Sequence, residues 1–215
     1  MEFIALLVFL GKAFILVKMN YEDIKQTQTN KQFEGLSNHF LIAMPSLKGS
    51  NFSQSVAYIC EHSADGAIGL VVNQPTKITL GDLLDQMDVK YDAAIGETSL
   101  FSGGPVQTER GFILHSNEKS WESTLTISDT ISISSSKDVL EDIANNRGPD
   151  KFLITLGYAG WNAGQLEDEM INNSWLTLPA NQHIIFDTPV EQRWTAAAQP
   201  LGIDMNLIAS QAGHA

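Results

Sequence analysis

Cysteine is nearly absent from this chain, since Cys60 is the single cysteine in 215 residues. One cysteine cannot form an intramolecular disulfide, so a disulfide-stabilised fold is excluded and a reducing compartment is expected. Stability must then come from an apolar core. The chain is 43% hydrophobic, and at this length that content is enough for one domain with its own core.

Basic residues are also scarce. The chain has 13 Lys and Arg against 25 Asp and Glu, a net charge of -12. Four of the basic residues precede Gly35, and the other nine are scattered with no two adjacent. An acidic surface repels nucleic-acid phosphates, and no basic patch opposes the overall field, so the composition argues against direct nucleic-acid binding.

The chain lacks a clear membrane span or signal peptide. Residues 3–17 are apolar except for Gly11 and Lys12, but a spanning helix needs roughly 20 apolar residues. A signal peptide would carry positive charge where this chain has Glu2, and no cleavage pattern of small residues follows Val17. A signal sequence, an anchor and a translated extension all stay open, and we expect no stable membrane association.

The first part of the chain is expected to lie outside the domain. Met19 offers an alternative start, and residues 20–34 are polar with no apolar period. We therefore predict that residues 1–34 form a non-globular N-terminal extension. Residues 35–215 are predicted to form a single domain, because no internal repeat or low-complexity segment divides them.

The stretch from 151 to 175 gives the best indication of the fold. Residues 152–156 are a nearly continuous apolar run, which is typical of a central strand covered on both faces. Asn162 and Gln165 have the spacing of a capping box, which predicts a helix beginning near Ala163. Three glycines permit a sharp turn after the strand: Gly157, Gly160 and Gly164.

The other segments predict strands and helices in mixed order, and hence an α+β domain with a mixed sheet flanked by helices. Strands are predicted at 40–44, 55–62, 67–73, 100–103, 111–115, 175–178 and 183–186, with an alternating pair at 125–133. A loop is predicted at 91–98. Helices are predicted after Thr79, after Ser135 and after a capping box formed by Thr188, Pro189 and Glu191.

Six sequence blocks are specific enough to identify a family. They are NHFLIAMP (38–45), YICEHSADGAIGLVVNQP (58–75), SGGPV (102–106), GFILH (111–115), GYAGWNAGQLEDE (157–169) and GHA (213–215). In this order they resemble the YqgE/AlgH family of bacterial proteins, whose members are mostly uncharacterised. The resemblance implies a strongly curved mixed sheet flanked by helices, in a cytoplasmic protein. The family normally begins shortly before the first block, so residues 1–18 depart from its pattern.

Two glycine-rich segments are the candidate binding positions. Consecutive glycines at a strand end, as in residues 102–105, can point several backbone N–H groups at a ligand or partner. Residues 157–164 fit a phosphate loop less well, because their spacing is not G-x-G-x-x-G and Glu167 already brings negative charge to the helix start. The alternatives are a bend in a curved sheet and tight strand–helix packing. The predicted ligand-binding residues are Gly103, Gly104, Gly157, Gly160 and Trp161.

Cys60 and His62 are the candidates for catalysis. They lie two apart on a predicted strand, so they would face the same side and could form a thiolate–imidazole pair. The alternative is a buried structural cysteine, and no third group that would orient the pair can be assigned. The histidines show no ligand spacing such as H-x-x-x-H, so no metal and no cofactor is predicted.

Three classes of function follow, in decreasing order of support. The first is a non-enzymatic binding or regulatory protein that contacts a protein partner or a small ligand, because binding needs only a concave surface. The second is an enzyme of unknown reaction that uses Cys60 and His62. The third is a DNA-binding regulator, which the family name suggests and the acidic charge argues against.

Overall fold

The computed structural model describes residues 3–10, 13–20, 35–47, 50–205 and 208. Its strands are β1 (Phe3–Leu10), β2 (Ala13–Asn20), β3 (His39–Ala43), β4 (Val56–Ser63), β5 (Gly66–Val71), β6 (Pro75–Thr79), β7 (Ser99–Ser102), β8 (Val106–Ser116), β9 (Leu125–Thr126), β10 (Ile131–Ser134), β11 (Phe152–Asn162) and β12 (Trp175–Pro179). Its helices are α1 (Leu80–Gln86), α2 (Ala93–Gly96), α3 (Lys137–Ala144), α4 (Gln165–Ile171), α5 (Gln182–Phe186) and α6 (Arg193–Ala198). Short 3-10 turns lie at Pro45–Leu47, Val190–Gln192 and Gln199–Leu201.

The strands form one curled, mainly antiparallel sheet. Its main path runs β12-β3-β4-β5-β11-β8-β1-β2, and β6, β7, β9 and β10 branch from it. Among the described strands, β7 and β11 form the one parallel pair. The predicted curved sheet with a few helices is therefore confirmed in outline.

β11 is the central strand, as residues 152–156 predict. It pairs with β5, β7 and β8, and Leu153 and Ile154 are buried. The predicted turn at Gly157 is wrong, because the strand continues to Asn162. Gly157 instead has a φ of 71° and makes a bulge between Leu156 and Tyr158, so its freedom to take positive φ serves a kink within the strand.

α4 begins two residues later than predicted, at Gln165. Half of the expected capping box is present, because the backbone N–H of Asn162 donates to Oε1 of Gln165 at 3.1 Å. Gly164, in the left-handed region with a φ of 77°, occupies the cap position. α1 follows its prediction more closely, since Thr79 and Asp82 complete a capping box.

Helices pack on both faces of the sheet, over three clusters of buried apolar side chains. The first cluster contains Phe40 and Ile42 of β3 together with residues of α5 and α6. The third contains the alternating residues of β3, Leu41 and Ala43, with Leu166 of α4. The second cluster holds α1 and α3 against β8 and β11. Because both faces of β3 are covered, its sequence is continuously apolar rather than alternating.

The strand predicted at 183–186 is wrong, because these residues belong to helix α5. Asn181 caps this helix by accepting the backbone N–H of His183 at 2.9 Å. A short apolar run such as HIIF cannot be assigned to strand or helix by periodicity alone. Residues 93–96, predicted as loop, also form the short helix α2, which is capped by Asp92.

The final helix begins differently from its prediction. The Thr188 hydroxyl donates to the carbonyl of His183 at 3.1 Å rather than capping the next turn. A 3-10 turn at Val190–Gln192 then leads into α6. The chain therefore uses Thr188 to close α5, which precedes it.

The sequence did not predict the hairpin of β1 and β2. β1 adjoins the sheet where Val8 lies opposite Arg110 of β8. The assignment of residues 1–34 to an extension outside the domain stays a prediction; residues 21–34 and the closing block 213–215 lie outside the described residues. Within the described part of the chain, no helix has the length and hydropathy of a membrane span.

Candidate functional site

Two glycine segments that are far apart in sequence meet at the centre of the sheet. The Gly103 N–H donates to the carbonyl of Leu156 at 2.8 Å, and the Gly103 carbonyl accepts the N–H of Val71 at 2.8 Å. A Cβ at Gly103 would lie 2.2 Å from the carbonyl oxygen of Gly157. Residue 103 must therefore be glycine for the two backbones to pass this closely.

Gly104 and Gly157 form the other half of this contact. Gly104 has a φ of 152°, and a Cβ there would lie 2.2 Å from the carbonyl carbon of Tyr158. A Cβ at Gly157 would lie 2.6 Å from the carbonyl oxygen of Gly104. We call the contact of Gly103 and Gly104 with Gly157 the glycine crossing. It brings together three of the five predicted ligand-binding residues.

A cleft of about 360 Å³ opens beside the glycine crossing. Its lining residues are Asn51, Val71, Gln74, Ser102, Gly104, Pro105 and Thr108. The polar side chains of this set are amides and hydroxyls, and none of the seven is charged. The cleft is therefore neutral although the protein carries a net charge of -12, and its chemistry suits a polar uncharged group.

One wall of this cleft is held in place by hydrogen bonds from several directions. The side chain of Gln74 donates to the carbonyl of Asn51 at 3.1 Å, and the Gln74 carbonyl accepts the N–H of Ser102 at 2.8 Å. Just before Gln74, the side chain of Asn73 accepts the N–H of Val56 at 2.8 Å. The wall is thus preformed.

Arg193 supports the same wall from the core. Its guanidinium is buried, donates to the carbonyl of Val72 and lies 5.3 Å from the ring centroid of Phe101. Its Nε donates to the carbonyl of Thr188 at 3.0 Å. Burial lowers the pKa of this group, and the carbonyl and ring contacts compensate part of the lost hydration.

Beneath Gly103 lies a buried hydroxyl with an unused hydrogen-bonding capacity. Thr155 is fully buried, and its Oγ1 has no hydrogen-bond partner among the described residues. It would lie 2.9 Å from a Cβ at Gly103. A buried polar atom of this kind is costly unless it is paired, so the centre of the sheet retains one polar group beside the crossing.

The other two predicted ligand-binding residues lie away from the cleft lining. Gly160 and Trp161 continue along β11, opposite Ile68 and Ala67 of β5. The indole of Trp161 is buried and donates to Oε2 of Glu169 at 2.8 Å. The structure therefore places Trp161 in a packed aromatic cluster with Phe52 and Trp175.

Cys60 occupies a β-bulge in the middle of β4. Ile59 pairs with Gly69 and Glu61 with Ile68, so Cys60 has no partner in the register. Its thiol lies in the first apolar cluster, and burial raises its pKa to about 12. Because the thiolate is the nucleophilic form, a thiol with a raised pKa is less reactive at neutral pH than an ordinary cysteine.

The bulge reverses the facing of the residues that follow, so His62 does not share the side of Cys60. Nδ1 of His62 accepts the backbone N–H of Leu36 at 3.0 Å, and Nε2 lies 2.9 Å from Oε1 of Glu167. Leu36 packs against the third apolar cluster, whereas Cys60 belongs to the first. The expected shared face, on which the thiolate–imidazole pair depended, is therefore not formed.

Sequence reasoning missed four cleft residues: Asn51, Val71, Gln74 and Thr108. Val71 and Gln74 lie within the block 58–75, and Asn51 and Thr108 lie outside all six blocks. No spacing links the four, so only their meeting in space marks them as one site. Among the described residues, no group of three or more His, Cys, Asp or Glu side chains could hold a metal ion.

Comparisons with known proteins assign the chain to a family. A family model described as AlgH-like matches residues 40–206. A "UPF0301 protein" of Saccharophagus degradans is 53% identical over 184 residues, which is 86% of this chain and 91% of the relative. A second one, from Pseudoalteromonas translucida, is 49% identical over 184 residues, which is 85% of this chain and 100% of the relative.

Solved structures show the same relationship. The solution structure of the AlgH protein from Pseudomonas aeruginosa has a TM-score of 0.71 and 47% identity over 87% of this chain and 100% of that one. A crystal structure of a protein from Corynebacterium diphtheriae, at 17% identity, shares the fold alone, with a TM-score of 0.66 over 86% of this chain and 96% of its own. The chain therefore belongs to the AlgH-like family, as its six sequence blocks indicate.

Proposed function

We propose that this protein is a non-enzymatic binding protein of the bacterial cytoplasm, and that the cleft beside the glycine crossing takes a small neutral ligand with amide or hydroxyl groups. The binding unit is a single α+β domain over residues 35–215. A regulatory role, as the family name suggests, would then act through this ligand. A protein partner that inserts a polar side chain into the cleft is the second candidate.

The meeting of the two glycine segments is the observation that carries this proposal. Glycine at 103, 104 and 157 permits backbone contact that any Cβ would prevent, and the cleft opens beside that contact. Its volume of about 360 Å³ lies in the range of small-molecule sites. Hydrogen bonds already fix Val71, Gln74 and Ser102 of the lining, which lowers the entropy cost of ordering the site on binding.

Two features support a binding protein over an enzyme. Cys60 is buried with a raised pKa, and the ring of His62 contacts the backbone N–H of Leu36 and the carboxylate of Glu167. The cleft lining contains the hydroxyls of Ser102 and Thr108 but no acid, base or thiol. A hydroxyl is a weak nucleophile unless an adjacent general base activates it.

The charge distribution supports ligand-mediated over direct DNA-binding regulation. The 13 basic and 25 acidic residues give a net charge of -12, which repels the phosphate backbone. If the purified protein bound a duplex tightly and with steep salt dependence, a DNA-binding regulator would replace this proposal.

The proposal can be tested by a two-dimensional NMR screen of the full chain with neutral amides, such as nicotinamide, and neutral polyols. We expect saturable shifts of the backbone amides of Gln74, Ser102 and Thr108. Gln74→Ala or Thr108→Ala should weaken binding about fivefold, the effect of losing one hydrogen bond. The exposed residues Gln86 and Thr130 provide matched controls, Gln86→Ala and Thr130→Ala.

Either of two results would overturn the small-ligand proposal. The first is the absence of shifts at the cleft for every neutral compound. The second is binding of equal strength in the Gln74 and Thr108 variants and in their controls.

A further inference from the structure

A second groove, remote from the glycine crossing in sequence, lies over the polar face of α3. The buried face of this helix consists of Val139, Leu140, Ile143 and Ala144. The opposite face carries Asp138, Glu141, Asp142 and Asn145, spaced three and four apart. These residues form one side of a groove of about 360 Å³, which is completed by Val89, Lys90, Trp121 and Arg147. The polar face of α3 therefore borders an open groove, in which Lys90, Asn145 and Arg147 are exposed.

Trp121 forms a fixed aromatic wall of this groove. Its indole N–H donates to Oδ2 of Asp142 at 3.0 Å, and its backbone N–H donates to Oγ1 of Thr124 at 2.6 Å. Its ring lies edge-on to the buried ring of His115, with centroids 5.1 Å apart. The ammonium of Lys119 lies over this ring, 5.0 Å from its centroid, and covers part of one face. The tryptophan is only partly buried, so the remainder of its surface is accessible.

Two of the three carboxylates in the groove are already engaged. Asp142 accepts from Lys119 at 2.5 Å and pairs with Arg147 at 3.2 Å, besides accepting the indole N–H. The hydrogen bond from Lys119 is the main cause of its lowered pKa. Asp138 accepts the backbone N–H of Glu122 at 3.0 Å and the hydroxyl of Ser136. Both carboxylates are therefore structural.

Glu141 and Lys90 are the charges left for a ligand. Glu141 pairs with Lys137 at 2.9 Å, but both side chains are 46% exposed, and an exposed pair of this kind is weak and exchanges easily. Lys90 is exposed, and the structure shows no ion pair for it among the described residues. The groove thus offers one available carboxylate from α3 and one available ammonium from the segment after α1.

We propose that this groove binds a small zwitterion with an aromatic body, namely an aromatic α-amino acid. Its ammonium pairs with Glu141, its carboxylate pairs with Lys90, and its ring packs against Trp121 and Val89. The lining carries three carboxylates and two cations, and Lys119 beside Asp142 supplies a third positive charge. Because these charges balance, neither a simple anion nor a simple cation is favoured. A zwitterion satisfies both charges at once, and the volume suits a ligand of this size.

Titration of the full chain with L-phenylalanine tests the proposal. The probe is the NMR resonance of the Trp121 indole N–H, assigned by its disappearance in Trp121→Phe. We expect a saturable shift in the millimolar range. N-acetyl-L-phenylalanine lacks the ammonium and L-phenylalanine amide lacks the carboxylate, and each should bind about fivefold more weakly.

Charge variants complete the test. Glu141→Gln and Lys90→Gln should each weaken L-phenylalanine binding about fivefold. Glu97→Gln and Lys77→Gln, at exposed positions outside the groove lining, should leave it unchanged. Thermal melting of each variant verifies that it is folded.

The proposal is overturned if about 20 mM L-phenylalanine, well above a millimolar dissociation constant, leaves the Trp121 indole resonance in place. It is equally overturned if the two analogues bind the wild-type chain as tightly as L-phenylalanine does. The same holds if the two groove variants bind L-phenylalanine as tightly as the wild-type chain does. If L-phenylalanine does not bind the groove, the proposal for the cleft beside the glycine crossing is unaffected. The two are distinguishable because the cleft screen follows the backbone amides of Gln74, Ser102 and Thr108 and not the Trp121 indole.

Discussion

At the residue scale, the glycine crossing depends on positions where any side chain would collide with backbone. Gly104 combines a φ of 152° with a Cβ site 2.2 Å from the carbonyl carbon of Tyr158 and 2.3 Å from the amide nitrogen of Ala159. Backbone atoms within a sheet cannot move aside as a flexible side chain can. The crossing therefore has no inexpensive way to accommodate even a methyl group.

We predict that Gly104→Ala lowers the free energy of unfolding by about 3 kcal/mol or more, since it adds backbone strain to a steric clash. Chemical denaturation monitored by circular dichroism would measure the loss. Gly111→Ala is the matched control, because a Cβ there meets nothing within 4 Å and the backbone φ is not in the left-handed region. This control should be neutral or stabilising by up to about 1 kcal/mol. Equal losses in both variants would contradict the crossing as described.

His115 is a buried histidine whose protonation state the surrounding groups define. A backbone carbonyl can only accept, so Nδ1 donates to the carbonyl of Ser116 at 2.8 Å, and Nε2 accepts from Ser134 at 2.9 Å. Burial is the main cause of a lowered pKa, and the carboxylate of Glu118 opposes it. The folded protein therefore holds His115 neutral at pH values where the unfolded chain is already protonated.

We predict that His115 makes the protein less stable as the pH falls below about 6.5, the ordinary histidine value. Between the unfolded pKa and the lower folded pKa, the unfolded state binds the extra proton, so the free energy of unfolding decreases as pH falls. The slope for one proton is at most about 1.4 kcal/mol per pH unit. Denaturation of wild type and His115→Gln from pH 7 to pH 5 measures it. Parallel profiles for the two proteins would show that His115 does not contribute.

At the element scale, α4 is attached to the sheet by one carboxylate. Oε2 of Glu169 accepts the indole N–H of Trp161 at 2.8 Å and that of Trp175 at 2.7 Å, and Oε1 accepts from Gln165 at 2.9 Å. Both indoles are at most 6% exposed. The helix thus satisfies two buried donors that belong to different strands, β11 and β12.

We predict that Glu169→Ala lowers the free energy of unfolding by about 2–5 kcal/mol, because it leaves two buried N–H groups unpaired. Urea denaturation monitored by tryptophan fluorescence would measure the change. Asp168→Ala is the control on the same helix, at an exposed position near its N-terminus. Only a helix-dipole effect of up to about 1 kcal/mol is expected there. A control loss as large as that of Glu169→Ala would mean that α4 itself, rather than the indole contacts, was damaged.

Elements with strong local signals could be predicted from the sequence, and those shaped by distant contacts could not. The apolar run at 152–156 predicts a central strand, and Thr79 predicts the start of α1. By contrast, residues 183–186 form a helix that Asn181 caps, and a short apolar run does not reveal this by its periodicity. The continuation of β11 through Gly157 likewise depends on pairing with β5 and β8, which the local pattern does not reveal.

At the scale of the whole molecule, the hairpin of β1 and β2 forms one end of the main path of the sheet. The structure joins β1 to the sheet at one residue pair, Val8 opposite Arg110. The family model matches residues 40–206, a range that does not include the hairpin.

We predict that a chain beginning at Met19 melts within about 2 °C of the chain beginning at Met1, because residues 1–18 add little to the free energy of unfolding. Differential scanning calorimetry of the two chains provides the comparison. A melting temperature lower by several degrees would place the hairpin within the domain. Stable partition of the longer chain alone into lipid vesicles would instead support a membrane anchor.

The sequence by itself determined the family, the central strand and the capped start of α1. The two elements depend on neighbouring residues, whose periodicity and capping act locally. It also singled out the glycines at 103, 104 and 157, since unusual backbone freedom is visible in the residue type.

Only the tertiary structure decided what those residues form together. The glycine crossing, the separation of Cys60 from His62 by a bulge, and the groove between α3 and Trp121 all arise from contacts between segments distant in sequence. Such contacts are selected by the packing and hydrogen bonding of the whole sheet. Local composition therefore identified the glycines, Cys60 and His62, whereas the global arrangement of strands determined which residues share a site.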